Sequence, residues 1–497
     1  MKHRNLLMGS ILCCLPILFV FGHLAWSQPA STYGGASFKT SAQEFRNVMM
    51  GFSGNQIEPR VVAATISGGG RYGFPHRVYG DMGTIGGGAG NEAFSLATVG
   101  GGEGNLASGI RTTIAGGENN AATLDSATIG GGYGNRAAAS HATIAGGIAN
   151  AATEVDATVG GGSGNTASER HSSIGGGSMN KAGGFASSIA GGVYNQASAT
   201  YSTVAGGIAN ASSGIESTVS GGAGNYASGE SAFVGGGMNN HATGPYSTVG
   251  GGRANEAGNR KDTPANGAYA TVGGGMGNRA GGSFSVVPGG SQNLASGDYS
   301  FAAGTRARVE PGHEGTFLYS DRKDFEFFSI GPNEFAARAT GGVRFVTGID
   351  ASGSPFAGVR IRPGSGAWET LSDRHVKTAF SPVDGREILD RLRTVPILSW
   401  RYRTEDPAAR HIGPTAQDFH QAFQVGTDEG YINSMDADGI AMAAIQSLYD
   451  AVKERDRSIE AHEKRIREME QDLAAQKRLM AELEARLRNA KAWARAK

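Results

Sequence analysis

Cysteine is all but missing: the 497 residues hold two, Cys13 and Cys14, adjacent and near the N-terminus. A chain with its only thiols there gains nothing from disulfides, exported or not. Net charge is missing too. Forty-four basic residues balance 44 acidic ones, which argues against nucleic acid or an acidic membrane surface as principal partner. Across residues 66–308 there is no 3.6-residue apolar stripe, so no helical repeat. Acids in this stretch are sparse and form no regular column (among them Glu103, Asp125, Glu154, Asp156, Glu169, Glu216). That speaks against the liganding Asp of calcium-binding repeats and the paired carboxylates of a glycoside hydrolase. His375 and His411 are isolated, and no metal or cofactor is expected.

Glycine fills the space, with 81 residues. A unit recurs, as in Ala97-Thr98-Val99-Gly100-Gly101-Gly102 with Asn105 and Ala107. Its anchors run from Ile85, Val99 and Ile114 to Val272 and Val287, 15 residues apart except for a first step of 14 and a step of 23 after Val249. An asparagine always follows six residues later, from Asn91 to Asn293. So short a period marks a solenoid with one coil per repeat. The reading predicts two strands of about four residues and two tight turns per coil. Ile/Val and the alanine eight residues on (Ala93, Ala107, Ala122) point inward, and triple glycines turn a corner that β-carbons would block. Asn suits a left-handed turn, and stacked amides are expected to bond along the axis. The repeated glycines mimic a dinucleotide loop but lack flanking βαβ units. The Thr column (Thr84, Thr98, Thr113) is interrupted by Ser173, Ser188 and Phe233, which counts against an ice-binding surface.

One aliphatic and one alanine per coil bury too little to offset the ordering of fifteen residues. An oligomer is therefore expected, most simply a homotrimer. Tyr133, Tyr194, Tyr226, Tyr246 and Arg253 are candidates for a face that binds a surface glycan or protein.

Flanking stretches divide the chain. Residues 1–27 read as a secretory signal peptide, with a basic start at Lys2 and Arg4, an apolar body and a cleavage site at Ala25-Trp26-Ser27. The membrane is expected to be met only there, and the product to be secreted or held at the cell surface. Residues 28–65 are a linker and N-terminal cap, 66–308 the glycine-rich repeats with a loop at 259–266, and 309–371 a β connector. The connector's expected strands are Phe317-Leu318-Tyr319, Phe325 to Ile330, Phe335 to Arg338 and Val343 to Val346. In 372–439, Gly385 to Arg393 and Thr415 to Phe423 are predicted helices and Ile397 to Tyr402 a strand. Residues 440–497 carry heptads: Ile445, Val452, Ile459 and Ile466 on one seam position, Leu448, Arg455, His462 and Met469 on the other. They predict a coiled coil whose polar Arg455, His462 and Gln476 mark register.

The chemistry-bearing stretch is Leu371-Ser372-Asp373-Arg374-His375-Val376-Lys377. It is followed by Val383-Asp384-Gly385, Ile397-Leu398-Ser399-Trp400 and His411-Ile412-Gly413-Pro414-Thr415-Ala416-Gln417-Asp418-Phe419, then the heptads. These blocks, in this order, resemble the endosialidase-type intramolecular chaperone of phage tail fibres and tail spikes. The repeats resemble the left-handed parallel β-roll of trimeric autotransporter adhesin heads. The whole chain is similar to secreted bacterial tail fibre domain-containing proteins, although adhesins end in an outer-membrane barrel and this chain ends in a charged helix.

The resemblance implies a mainly β fold: a left-handed roll, a small α+β chaperone domain and a trimeric coiled coil. It also implies a Ser-Lys dyad that cuts the chain once, with Ser372 as nucleophile and Lys377 as general base. The cut is expected at Ser372–Asp373, with Leu371–Ser372 as the second choice. A lysine acts as base only when burial or a nearby cation lowers its pKa from about 10.4 by about three units; Arg374 and His375 are near in sequence. Two alternatives stand: a polysaccharide-degrading solenoid with the same tail, and a tail that no longer cuts.

Overall fold

The computed structural model describes residues 46–259 and 267–495. The signal peptide reading, with Cys13 and Cys14, and most of the 259–266 loop lie outside the described residues. The chain divides into two units, Met1–Ala339 and Thr340–Lys497.

The first unit is a parallel β-solenoid of about 19 coils at about 15-residue spacing. One ladder stacks Thr98–Val99 on Thr113–Ile114 and Thr128–Ile129. A second stacks Leu106–Ala107 on Ala121–Ala122 and Arg136–Ala137. These strands are two residues long, shorter than expected. A third column accounts for the difference: single-residue parallel bridges join Ala89, Glu103, Glu118 and Tyr133, and so on to Met276 and Ser291. Three columns hold each coil where the sequence suggested two.

The interior is fuller than one aliphatic and one alanine. Val99, Ile114 and Ile129 are fully buried beside Ala107, Ala122 and Ala137. So is the small residue two places before each aliphatic, such as Ala97, Thr112, Ala127 and Ser172, and so is every ladder asparagine from Asn91 to Asn293. The pattern of small residues was visible in the sequence, but its inward aim was not. Four side chains per coil close the interior within one chain, at the density cores require.

The asparagines bond along the axis as expected, but with ordinary backbone angles. Asn165 Nδ2 donates to Gly161 O in its own coil and Gly177 O in the next, at 2.8 and 2.9 Å, while its Oδ1 accepts from the Asn180 N–H at 3.0 Å. Positive φ falls instead on the residue before the asparagine (Ala149, +52°), on a turn residue (Arg111, +60°) and on the glycine three places after the aliphatic (Gly192, +90°). A β-carbon on Gly192 would lie 2.2 Å from Gly207 O, whereas one on Gly191 would meet nothing within 4 Å. Close approach between coils therefore demands glycine at the third position after the aliphatic, where Gly192 stands, while Gly191 before it has room.

The ladder outruns the 66–308 stretch at both ends. Val48–Met49 pairs with Thr65–Ile66. Beyond Phe301 the strands Phe317–Ser320 and Phe335–Arg338 continue in parallel register. Residues that read as a separate connector are thus solenoid up to Arg338. Across the inserted loop Thr248 still pairs with Thr271, so the extra residues leave the register unchanged.

In the second unit, β1 (Val343–Ile349), β2 (Pro355–Ile361) and β3 (Glu369–Thr370) form an antiparallel sheet. Helix α1 (Gly385–Leu392) starts at Asp384, whose carboxylate accepts from the Arg386 and Glu387 N–H groups. Strands β4 (Leu398–Trp400) and β5 (His411–Gly413) pair antiparallel, and α2 (Ala416–Phe423) follows a Thr415 cap. Val395, Phe419, Phe423 and Ile440 form a small core with Ile388, Val425 and Ile432. Helix α3 runs for 62 residues, Ser434–Arg495, and buries only Ile440, Ala444 and Ser447. Its heptad residues Ile459, Ile466 and Leu473 lie exposed. Among the described residues no helix is long and apolar enough to cross a membrane.

Candidate functional site

Four residues separate Ser372 from Lys377, and local structure closes that gap. Strand β3 ends at Thr370, and the Leu371 N–H donates to Gly358 O at 3.0 Å, fixing the approach to Ser372. The Asp373 carboxylate accepts from the His375 N–H at 2.8 Å, capping a single 3-10 turn, Arg374–Val376. The turn swings Lys377 back, and its Nζ donates to Ser372 Oγ at 2.6 Å. The predicted pair is therefore in contact.

The surroundings are open. Every residue from 371 to 384 is exposed, Ser372 and Lys377 included. The Arg374 carbonyl accepts from the Lys377 N–H, while its guanidinium lies over the Phe380 ring, 5.4 Å from the centroid. A cleft of about 430 Å3, lined by Arg344, Phe345, Val359, Arg360 and Glu369, extends to Ser372. Glu369 accepts from Arg362 Nε and Arg360 Nε, both at 2.8 Å, and these bonds hold its carboxyl below the usual range.

Other residues singled out from the sequence have structural duties. Thr415 Oγ1 donates to Asp418 Oδ2 at 2.6 Å and accepts from the Asp418 N–H, a reciprocal cap on α2. His411 Nε2 meets both Glu405 oxygens, at 3.0 and 2.9 Å, which keeps that carboxyl below its ordinary range. His411 also lies against Trp400, so it braces the β4–β5 pair. Glu405 was not legible beforehand, because nothing in the string marks it as a histidine partner.

The five candidates for a binding face do not converge. Tyr133 and Arg253 share the third column but stand eight coils apart, roughly 40 Å at the usual strand spacing. Tyr226 is on the second ladder, Tyr194 precedes a ladder asparagine, and Tyr246 occupies a turn. Tyr246 instead begins a stack with Tyr269, Phe284 and Tyr299, ring centroids 4.9, 4.8 and 5.0 Å apart. Its hydroxyl donates to Glu230 at 3.0 Å, which holds the phenol proton above its usual range.

Residues 372–426 match the family described as chaperone of endosialidase. The match begins at Ser372 and takes in Lys377, α1, the β4–β5 pair and α2. No curated protein matches the chain. A parallel β-solenoid followed by an endosialidase-chaperone region is consistent with a tail-fibre-like trimeric protein.

Proposed function

We propose that this is a secreted trimeric fibre, directed outward by residues 1–27, whose C-terminal region aligns three chains and is then cut away by Ser372 and Lys377. The observation that carries the reading is the 2.6 Å contact of Lys377 Nζ with Ser372 Oγ at the start of the chaperone match. The exposed heptads of α3 support the alignment step: near-identical coils invite register slips, and a three-stranded coiled coil with polar Arg455, His462 and Gln476 sets register first.

In the cutting step, neutral Lys377 takes the Ser372 hydroxyl proton as Oγ attacks a neighbouring carbonyl carbon. Attack on the Leu371 carbonyl closes a five-membered ring. The Leu371–Ser372 C–N bond breaks, the proton passes from Lys377 to the Ser372 nitrogen, and water hydrolyses the resulting ester. Attack on the carbonyl of Ser372 itself would close a four-membered ring, so a Ser372–Asp373 cut calls for the hydroxyl of another chain. Chemistry within one chain thus favours the bond ranked second from the sequence. The scissile bond sits beside its attacker, so proximity supplies much of the rate, and one turnover per chain suffices. The exposed pair of a lone chain is inactive in this scheme. Burial in the assembled trimer supplies the desolvation that a lysine base requires, which makes cutting a checkpoint on assembly.

Ser372→Ala and Lys377→Met should each leave a single full-length band on a denaturing gel, where the unaltered chain gives two. Continued cutting by either variant would refute the dyad. The first residue of the released fragment, Ser372 or Asp373, identifies the bond.

A further inference from the structure

The antiparallel sheet β1–β3 has two unlike faces. Its register sets Val343 opposite Ile361 and Phe345 opposite Val359, and alternate residues share a face. Trp368 lies beside Phe345, ring centroids 5.8 Å apart. The other face has Arg344 opposite Arg360, with Glu369 paired to Arg360 and Arg362. An antiparallel sheet of this pattern covers its apolar face and leaves the charged one wet. Here the apolar face is not closed: Val343, Val359 and Ile361 are only half-buried, no residue from 340 to 394 is buried, and Phe345 and Trp368 are 51% and 54% exposed. Short strands without hydrophobic cover are marginal in water.

We propose that this apolar face is covered by the same face of other copies of this chain, and that it is the contact that keeps the fibre threefold after cutting. The inference rests on the proposed function. Three observations select a copy of the chain as occupant. First, the sheet lies wholly on the fibre side of the cut. Strand β3 ends at Thr370 and the Leu371 N–H is pinned to Gly358 O, so cutting on either side of Ser372 leaves the sheet intact. Second, the α3 seam departs with the released part, while the solenoid closes its core within one chain and its outer rings Tyr246, Tyr269, Phe284 and Tyr299 stack on one another. A fibre that stays threefold then needs another apolar contact. Third, the charged face sets three arginines against one glutamate, so like faces repel there and only the apolar face is self-compatible.

The test has two parts, both in the full chain. The double variant Phe345→Ser/Trp368→Ser is compared with the unaltered protein by denaturing gel and by light scattering of the separated fibre fragment. Both proteins should be cut; the unaltered fragment should weigh three chains and the variant fragment one. A variant fragment that stays at three chains overturns the inference. Failure of the unaltered chain to be cut or to associate counts instead against the proposed function. The second part does not depend on cutting. Phe345→Cys and Arg344→Cys, each made with Cys13 and Cys14 replaced by serine, are exposed to a maleimide under native conditions. The thiol at 345 should react several-fold more slowly than the thiol at 344, and equal rates overturn the proposal.

Discussion

His76 occupies a place that the neighbouring coils give to asparagine. Its N–H donates to Asn55 Oδ1 at 2.9 Å, and its Nδ1 accepts from the Asn91 N–H at 3.2 Å, so the imidazole spans one step of the ladder. The residue is wholly buried. Burial lowers its pKa, and the backbone contacts at Gly88 and Asn91 offset only part of that. A histidine whose folded pKa lies below its unfolded value binds more protons when unfolded. Stability is then complete above the unfolded value near 6.5, falls as pH drops through it, and levels off below the depressed folded value. The solenoid's melting temperature should therefore decline below about pH 6.5, and His76→Asn should flatten that slope. An unchanged slope in the variant would place the acid sensitivity elsewhere. From the string alone His76 reads as one more isolated histidine: it stands 15 residues before Asn91, but the step back to Asn55 is 21, and no asparagine marks the position.

At the scale of elements, the asparagine ladder does what main-chain hydrogen bonds alone leave undone. The corner at the second glycine leaves its carbonyl, such as Gly161 O, to the asparagine amide, and a buried carbonyl or N–H without a partner costs about 1–3 kcal/mol. Asn165→Ala removes three such bonds, though Gly177 O still accepts from the Ser163 N–H. It should destabilise the solenoid by roughly 2–4 kcal/mol, measured by denaturant titration of the fibre fragment. A loss within error would mean that water replaces the amide. The ladder was legible because it repeats. The third column was not, because a single bridging residue leaves no pattern: Glu118, Tyr133, Ile148 and Ser163 stack there with nothing in common. The final strands, Phe317–Ser320 and Phe335–Arg338, were legible as strands but not as coils of the solenoid, for another reason. The step lengthens to 16 between Phe301 and Phe317 and to 18 up to Phe335, so a fixed-period reading stops early. Helices α1 and α2 came through nearly intact, since Asp384 and Thr415 announce their starts. The Ser372–Lys377 pair was legible as spacing and resemblance; the Asp373-capped turn that brings it into contact was not.

For the whole molecule, shortage of apolar mass was the sequence-level argument for a trimer, and its physical location has moved. The solenoid fills its own core. Exposed apolar side chains lie on the solenoid's outside (Ile148, Ile208, Phe335), on the β1–β3 sheet and along α3. If the detachable region aligns the chains, folding becomes one-way once it is lost. Cut fibre denatured in guanidinium and diluted should fail to regain its three-chain mass, while uncut Ser372→Ala, treated identically, should recover it. Equal recovery would show that alignment needs no guide.

The sequence by itself determined the coil: a fifteen-residue period with β-branched, small and amide positions admits few backbones, and repetition multiplies that constraint along the chain. It also determined the composition of the C-terminal region, from the caps of α1 and α2 to the heptads of α3. Tertiary structure alone decided which of three glycines must lack a β-carbon, that small residues two places before each aliphatic face inward, and that Lys377 meets Ser372. Each of these depends on the distance between atoms far apart in the string or on adjacent coils, and a linear pattern carries spacing along the chain but no distance across it.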